Sequence, residues 1–241
     1  MLLCRLFANS IVIMLGLKQL RNLVLIVVLA VGASCSDSTN TFEAIGQQLS
    51  GSGVLVSEER ETAAFTSVEA SGPITTVISM GNTRQILVTA DDNVIHRVKA
   101  SVYGNTLHIS LKEGEYHNIW IRVQVVVPHL SALTNNGTGT LKVSGLDSNG
   151  ILKVTNSGNG TLILEGRGAE LALVNEGAGS FNGFDFSAGL CSVQNLGAGS
   201  CELSCTDLLD GTNTGSGSIH YKGPATVTVD NTGSGGVFNA N

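Results

Sequence analysis

Six times in its C-terminal half the chain writes Asn-x-Gly-x-Gly. The first glycines are Gly137, Gly158, Gly177, Gly197, Gly215 and Gly233, and the asparagines two places earlier are Asn135, Asn156, Asn175, Asn195, Asn213 and Asn231. Successive copies lie 21, 19, 20, 18 and 18 residues apart. A nucleotide-binding loop needs a single glycine cluster between a strand and a helix, with an acidic residue downstream. A cluster that returns this often, in a sequence without helical periodicity, is instead a structural period. Calcium-binding glycine repeats require G-G-x-G-x-D, and no copy here carries that aspartate.

Alignment on the first glycine shows which positions face inward. Four places after it stand Leu141, Leu162, Phe181, Cys201, Ile219 and Val237, and four before it Leu133, Val154, Leu173, Val193, Gly211 and Val229. The positions six away are again mostly apolar, among them Val143, Leu164 and Leu203 after the corner and Leu152, Leu171 and Leu209 before it. Between them lie polar or small residues such as Lys142, Lys153, Glu202 and Thr228. This is period-two alternation on both sides of a tight corner, hence strand–turn–strand with one buried face. Such a unit cannot bury its own apolar face, so the units must stack, like over like. The expected fold is therefore all-β, a β-solenoid: a right-handed, single-stranded parallel β-helix with coils of about 18–21 residues. A propeller or meander would want periods nearer 40 residues and more aromatics than the 5% present. At each corner the glycines are expected to supply φ > 0, and the asparagine to bond either the turn backbone or the asparagine of the next coil, making a ladder.

The N-terminus reads differently. Leu23–Ala33 is an apolar run of 11 residues, preceded by Lys18 and Arg21 and followed by Ser34-Cys35. It is too short to span a bilayer and suits a signal-peptide core. Gly32-Ala33-Ser34-Cys35 resembles a bacterial lipobox, which implies lipid attachment at Cys35, although Gly32 stands where an aliphatic residue is usual. Residues 1–34 are thus expected to be a lipoprotein-type signal, with Met14 an alternative start. Residues 35–53 would be a flexible tether and 54–241 the folded body, irregular over 54–134 and repetitive over 135–241. Removing residues 1–34 leaves ten basic against 19 acidic residues, a net charge of −9. That balance argues against nucleic-acid binding, and membrane attachment would come through the lipid anchor and not a basic patch.

Residues 54–134 lack the repeat but are strand-rich, with segments such as ITTVISM, RQILVTA and IWIRVQVVV separated by Gly-Pro, Gly-Asn and Asp-Asp-Asn turn signals. They read as the irregular start of the same solenoid, with room for a small hairpin. The stretch FTSVEASGPITTVISMGNTRQILVTADDNVIHRVKASVYGNTLHIS, then VQVVVPHLSALTNNGTGTLKV and the glycine turns, resembles the auto-transporter adhesin family with the head GIN domain, over roughly residues 64–240. Members typically carry S-G-S-G-D at the turns, where this chain has N-x-G-x-G. The resemblance implies a β-helical protein of the bacterial cell envelope, outer-membrane or periplasm-facing, and supplies no catalytic residues.

Candidate chemistry is sparse. His96, His108, His117, His129 and His220 form no metal-ligand pair, and Asp91-Asp92-Asn93 reads as a turn more simply than as a cation site. No metal or cofactor is expected. Cys191 and Cys201 fall on inward positions, and Cys205 where other coils have Gly145, Gly166 and Gly223. Cys201 and Cys205 are too far apart on one strand to bridge, and no disulfide is expected. A polysaccharide-lyase-like enzyme, the alternative reading, would gather acids and bases on one face. Lys142, Lys153, Arg167 and Lys222 do not share a repeat position. What recurs on the surface is small and hydroxylic: Thr138, Thr140, Thr161, Ser180, Ser200 and Ser218 follow the corner glycines by one or three places. These residue types suit turns in any case. Stacked, they would also form a flat strip for adhesion to a repetitive surface such as a glycan, another envelope protein or ice. The expectation is a non-enzymatic, lipid-anchored envelope protein acting in adhesion, with a passive envelope scaffold as a further alternative. An uncapped last coil (Val237, Phe238) invites end-to-end pairing of copies.

Overall fold

The structure, a computed structural model, describes residues 48–241. The signal-like segment, Cys35 and the tether up to residue 47 lie outside the described residues. The first elements are short or antiparallel: β1 (Leu49–Ser50), β2 (Leu55–Glu59), β3 (Ser67–Ala70), β4 (Thr75–Met80), β5 (Gln85–Asp91), β6 (Val98–Tyr103), β7 (Thr106–Leu111), β8 (Tyr116–His117) and β9 (Ile121–Val127). The repeat region follows as β10 (Ala132–Asn135), β11 (Thr140–Asn156), β12 (Thr161–Asn175), β13 (Phe181–Asn195), β14 (Cys201–Asn213), β15 (Ile219–Lys222), β16 (Thr226–Asn231) and β17 (Val237–Asn239).

Among the strands from β10 to β17, every pairing of one with another is parallel and joins residues one repeat apart, as a β-solenoid requires. Leu141, Leu162, Phe181, Cys201, Ile219 and Val237 register one above the next, and so do Leu133, Val154, Leu173 and Val193. All but Val237 of these are buried. Both halves of each coil therefore turn their apolar files into a shared interior, and the fold is all-β with about 5 turns. The Asn-Gly corner joins the two walls at one edge. At the opposite edge the strands bend through bulges and register shifts, with Gly145 and Gly166 in left-handed φ.

The coil nearest the repeats in space is not the one that precedes them in sequence. β3 and β4, joined through Ser71-Gly72-Pro73, pair with β10 and β11 on one side and with β7 and β9 on the other. Residues 67–80 are thus inserted between two later coils. β5 then pairs antiparallel with β9, β2 with β5, and β6 with β7, and these strands close that end of the solenoid.

The body also begins earlier than the sequence suggests. β1 pairs with β8, and Asp91, 1% exposed, draws in the segments around it. Its Oδ1 accepts the Gly53 N–H at 2.8 Å and its Oδ2 the Trp120 N–H at 2.7 Å. The turn at Asp91-Asp92-Asn93 is a knot that fastens residues 49–53, placed in the tether by composition, to the end of the solenoid.

Candidate functional site: the stacked corners and the hydroxyl file beside them

Each corner is built from the strand that enters it. Because side chains alternate, an asparagine two places after an inward leucine or valine also points inward. Asn135, Asn156, Asn175, Asn195 and Asn213 are 0–2% exposed. A buried amide is costly unless paired, and here each is paired with the next. Asn135 Nδ2 donates to Asn156 Oδ1 at 2.9 Å, Asn156 to Asn175 and Asn175 to Asn195 at 2.8 Å, Asn195 to Asn213 and Asn213 to Asn231 at 2.9 Å. Asn231 is exposed, and its Nδ2 donates to Gly235 O in its own corner at 2.9 Å. Backbone bonds reinforce the column: Gly177 N–H donates to Asn156 O and Gly197 N–H to Asn175 O, both at 3.0 Å.

The glycines of these corners do a different job from the one expected. None of the residues in left-handed φ is a glycine of the six N-x-G-x-G corners. What forbids a side chain is the coil beneath. A Cβ on Gly177 would lie less than 3.0 Å from Gly158 O, one on Gly197 as close to Gly177 O, and one on Gly215 as close to Gly197 O. The second glycine of each corner repeats this, Gly199 over Gly179 and Gly217 over Gly199. The obstructing atoms are backbone and cannot swing away. The corner is glycine because adjacent coils approach backbone to backbone.

Outside the corner, Thr140 registers with Thr161. The pairs Leu162–Phe181, Phe181–Cys201 and Cys201–Ile219 put Ser180, Ser200 and Ser218, each one residue earlier, in the same file. These five are half-buried, and Thr138, on the corner itself, is exposed. The file continues where the repeat does not. Pairing of Leu141 with Thr76 sets Thr75 beside Thr140, Thr75 pairs with Arg122, Arg122 with Thr89 and Thr89 with Ser57. The hydroxyls of Ser57 and Thr89 are 2.8 Å apart. Period-based reading misses this extension because β5 and β2 enter the sheet antiparallel. Their alternation of polar and apolar residues is the only signal they give.

Arg122 stands in the file itself, and the other charged groups do not gather around it. Lys142 pairs with Glu165 and Lys222 lies 4.2 Å from the Phe184 ring. Arg167 grips Asp147 through two bonds of 3.0 and 2.6 Å, a hydrogen bond that holds the Asp147 carboxyl below its ordinary range. The histidines are scattered: His108 Nδ1 lies 3.3 Å from Glu69 and His220 stacks on Phe238. Among the described residues no three His, Cys, Asp or Glu side chains are placed to hold a metal ion.

The expectation of no disulfide is overturned. Cys191 and Cys205 are bonded, with Cα atoms 6.1 Å apart. Strict periodicity sets Cys205 over Asp185, but register shifts at the far bend pair it with Ala188 instead. That brings its buried side chain near Cys191, three residues further along. Cys201 remains free and buried, and desolvation pushes its thiol up to about 12.

The family model described as "Putative auto-transporter adhesin, head GIN domain" matches residues 64–225, about two thirds of the chain. The chain belongs to this family. A "putative adhesin" from Bacteroides fragilis NCTC 9343 has a similar structure, with a TM-score of 0.63 at 22% identity, covering 79% of this chain and 99% of that one. A "putative adhesin" from Parabacteroides merdae ATCC 43184 (TM-score 0.48, 17% identity, 80% and 99% coverage) is more distant. So is a "putative lipid binding protein" from Parabacteroides distasonis ATCC 8503 (0.48, 18%, 80% and 100%). The first shows a shared fold, and the other two carry no argument. No curated relative matches the chain in sequence. Membership places the chain among adhesin-like proteins of the bacterial surface or envelope.

Proposed function

We propose that the chain is an exported envelope lipoprotein, held by an acyl group on Cys35, whose solenoid acts in adhesion without enzymatic activity. The observation that supports this best is the hydroxyl file. Thr140, Thr161, Ser180, Ser200 and Ser218 recur at the strand spacing of roughly 4.8 Å on a flat wall held rigid by the asparagine column. A regular row of hydroxyls suits a partner that is itself repetitive, a glycan or another envelope protein. The acidic balance of the mature chain disfavours nucleic acid. The Cys191–Cys205 disulfide suits an oxidising compartment, as export would provide. At the other end, Val237 is half-buried and Phe238 51% exposed, which supports end-to-end pairing of copies as one mode of assembly.

The test replaces Thr140, Thr161, Ser180 and Ser200 with arginine in the full chain. Binding to a glycan array and to an envelope-protein fraction is then measured alongside thermal unfolding. Loss of binding with unchanged unfolding is expected. Unchanged binding by the folded variant rejects the file as the contact surface.

A further inference from the structure

We propose that the N-terminal end of the solenoid rests on a lipid surface through Val54, Leu55 and Trp120, a contact that rests on the reading of Cys35 as acylated. Val54 is 57%, Leu55 49% and Trp120 44% exposed. The three come together around one turn. Asp91 N–H donates to Trp120 O at 3.2 Å while the Asp91 carboxylate accepts Trp120 N–H. Asp92 N–H donates to Val54 O at 2.8 Å, and Leu55 pairs with Asp91 between β2 and β5. Two aliphatic side chains and an indole are thus presented by backbone that Asp91 fixes, so they need little ordering on contact.

Their place in the molecule identifies what they meet. β2 is the outermost strand of its wall, and the described chain starts beside it at Gln48, just ahead of β1. Cys35 lies 13 residues further upstream. That length reaches at most about 45 Å. An acyl anchor on Cys35 is joined to the described chain at this end and therefore favours it, over the far one, as the end nearer the bilayer. Ten strands run from β2 to β17 along this wall, and their spacings of roughly 4.8 Å put β17 about 43 Å away. Tryptophan and aliphatic side chains partition into the interfacial layer of a bilayer, and a tethered contact works at high effective concentration, so a small patch suffices. The neighbouring charges select the headgroup. Asp92 is exposed and the half-buried Arg122 stands two residues from Trp120, while Glu58 is already paired with Arg60, so the patch has no excess of positive charge. The surface that fits is zwitterionic and not anionic.

Trp120 is the only tryptophan in the chain, so its emission reports the contact directly. The full chain acylated at Cys35 is reconstituted on vesicles of phosphatidylethanolamine and phosphatidylcholine, with and without brominated acyl chains. The expected result is a blue-shifted emission quenched at least twofold by the brominated lipid. Quenching should be lost in a Val54→Asp, Leu55→Asp variant that keeps its circular dichroism, and weakened by added phosphatidylglycerol. Mass spectrometry of the Cys35 peptide and vesicle flotation report the anchor separately. An acylated, floating protein whose Trp120 is unquenched overturns the contact and leaves the anchor standing. The contact is overturned in the same way if Trp120 is shielded from iodide but not quenched by lipid, since the tether or a second copy then covers it. If Cys35 carries no acyl group and the protein does not float, the anchor and the contact fall together.

Discussion

Asn175 sits at the middle of the asparagine column, and its removal measures what the column contributes. Its Nδ2 donates to Asn195 Oδ1 at 2.8 Å and to Gly199 O at 3.2 Å, and its Oδ1 accepts from Asn156 Nδ2 at 2.8 Å. Asn175→Ala leaves a donor on Asn156 and an acceptor on Asn195 buried and unpaired. Each such group costs about 1–3 kcal/mol, so a loss of about 4 kcal/mol is expected, before any cavity penalty. Asn231→Ala is the internal control, because Asn231 is exposed, stands at the end of the column and leaves a single neighbour, Asn213, without its acceptor. Its cost should be about 1 kcal/mol. Urea unfolding with the disulfide intact reads the difference as a shift in midpoint at constant slope. Asn175→Asp adds a pH test. An ionised carboxylate keeps the bond from Asn156 but cannot donate to Asn195, and burial raises its pKa above the ordinary 3.9 or so. The folded state then binds the proton more tightly than the unfolded one, so this variant should gain stability as pH falls through the raised value. If Asn175→Ala and Asn231→Ala cost the same within about 0.5 kcal/mol, the column is not a spine and the reasoning fails.

The glycines separate by mechanism. Gly199→Ala forces coils apart and should cost about 1–3 kcal/mol or more, and Gly199→Asn should do no better. Gly145, at φ +72° with open space where a Cβ would stand, should lose about 1 kcal/mol as alanine and recover most of it as asparagine, by the same unfolding assay. Reduction of Cys191–Cys205, which closes a loop with a sequence separation of 14, should cost about 3 kcal/mol, read as a lower melting midpoint in dithiothreitol. Cys201, neutral until pH approaches about 12, should resist iodoacetamide at pH 8 in the folded protein and react once urea unfolds it, as peptide mapping would show.

The legible parts of this fold are those where sequence period and spatial period coincide. Leu141, Leu162 and Phe181 are one repeat apart in sequence and one strand apart in space, so alignment alone stacks them. The insertion of β3 and β4 between later coils is illegible because their corner carries Ala70 and Ser71-Gly72-Pro73 in place of Asn-x-Gly-x-Gly. Only Gly72, which registers with the corner below it, hints at the position. The disulfide is hidden by bulges, which shift Cys205 away from its periodic neighbour. The role of the corner glycines escapes the sequence for a different reason. A glycine in a turn signals either backbone conformation or close approach, and the two cannot be told apart until the neighbouring coil is placed. The hydroxyl file is visible from Thr140 to Ser218, but not its continuation to Ser57, which depends on antiparallel pairing.

The most direct measurement of the central claim, that Asn-x-Gly-x-Gly is the stacked corner of a coil and not a mobile binding loop, is amide hydrogen exchange resolved at the corners. The N–H groups of Gly158, Gly177, Gly197 and Gly215 donate to Asn135, Asn156, Asn175 and Asn195 backbone oxygens, all at 3.0 Å. They should exchange as slowly as the amides of the buried strands, because opening one requires separating two coils. Exchange of these four amides at the rate of an unstructured loop would contradict the account.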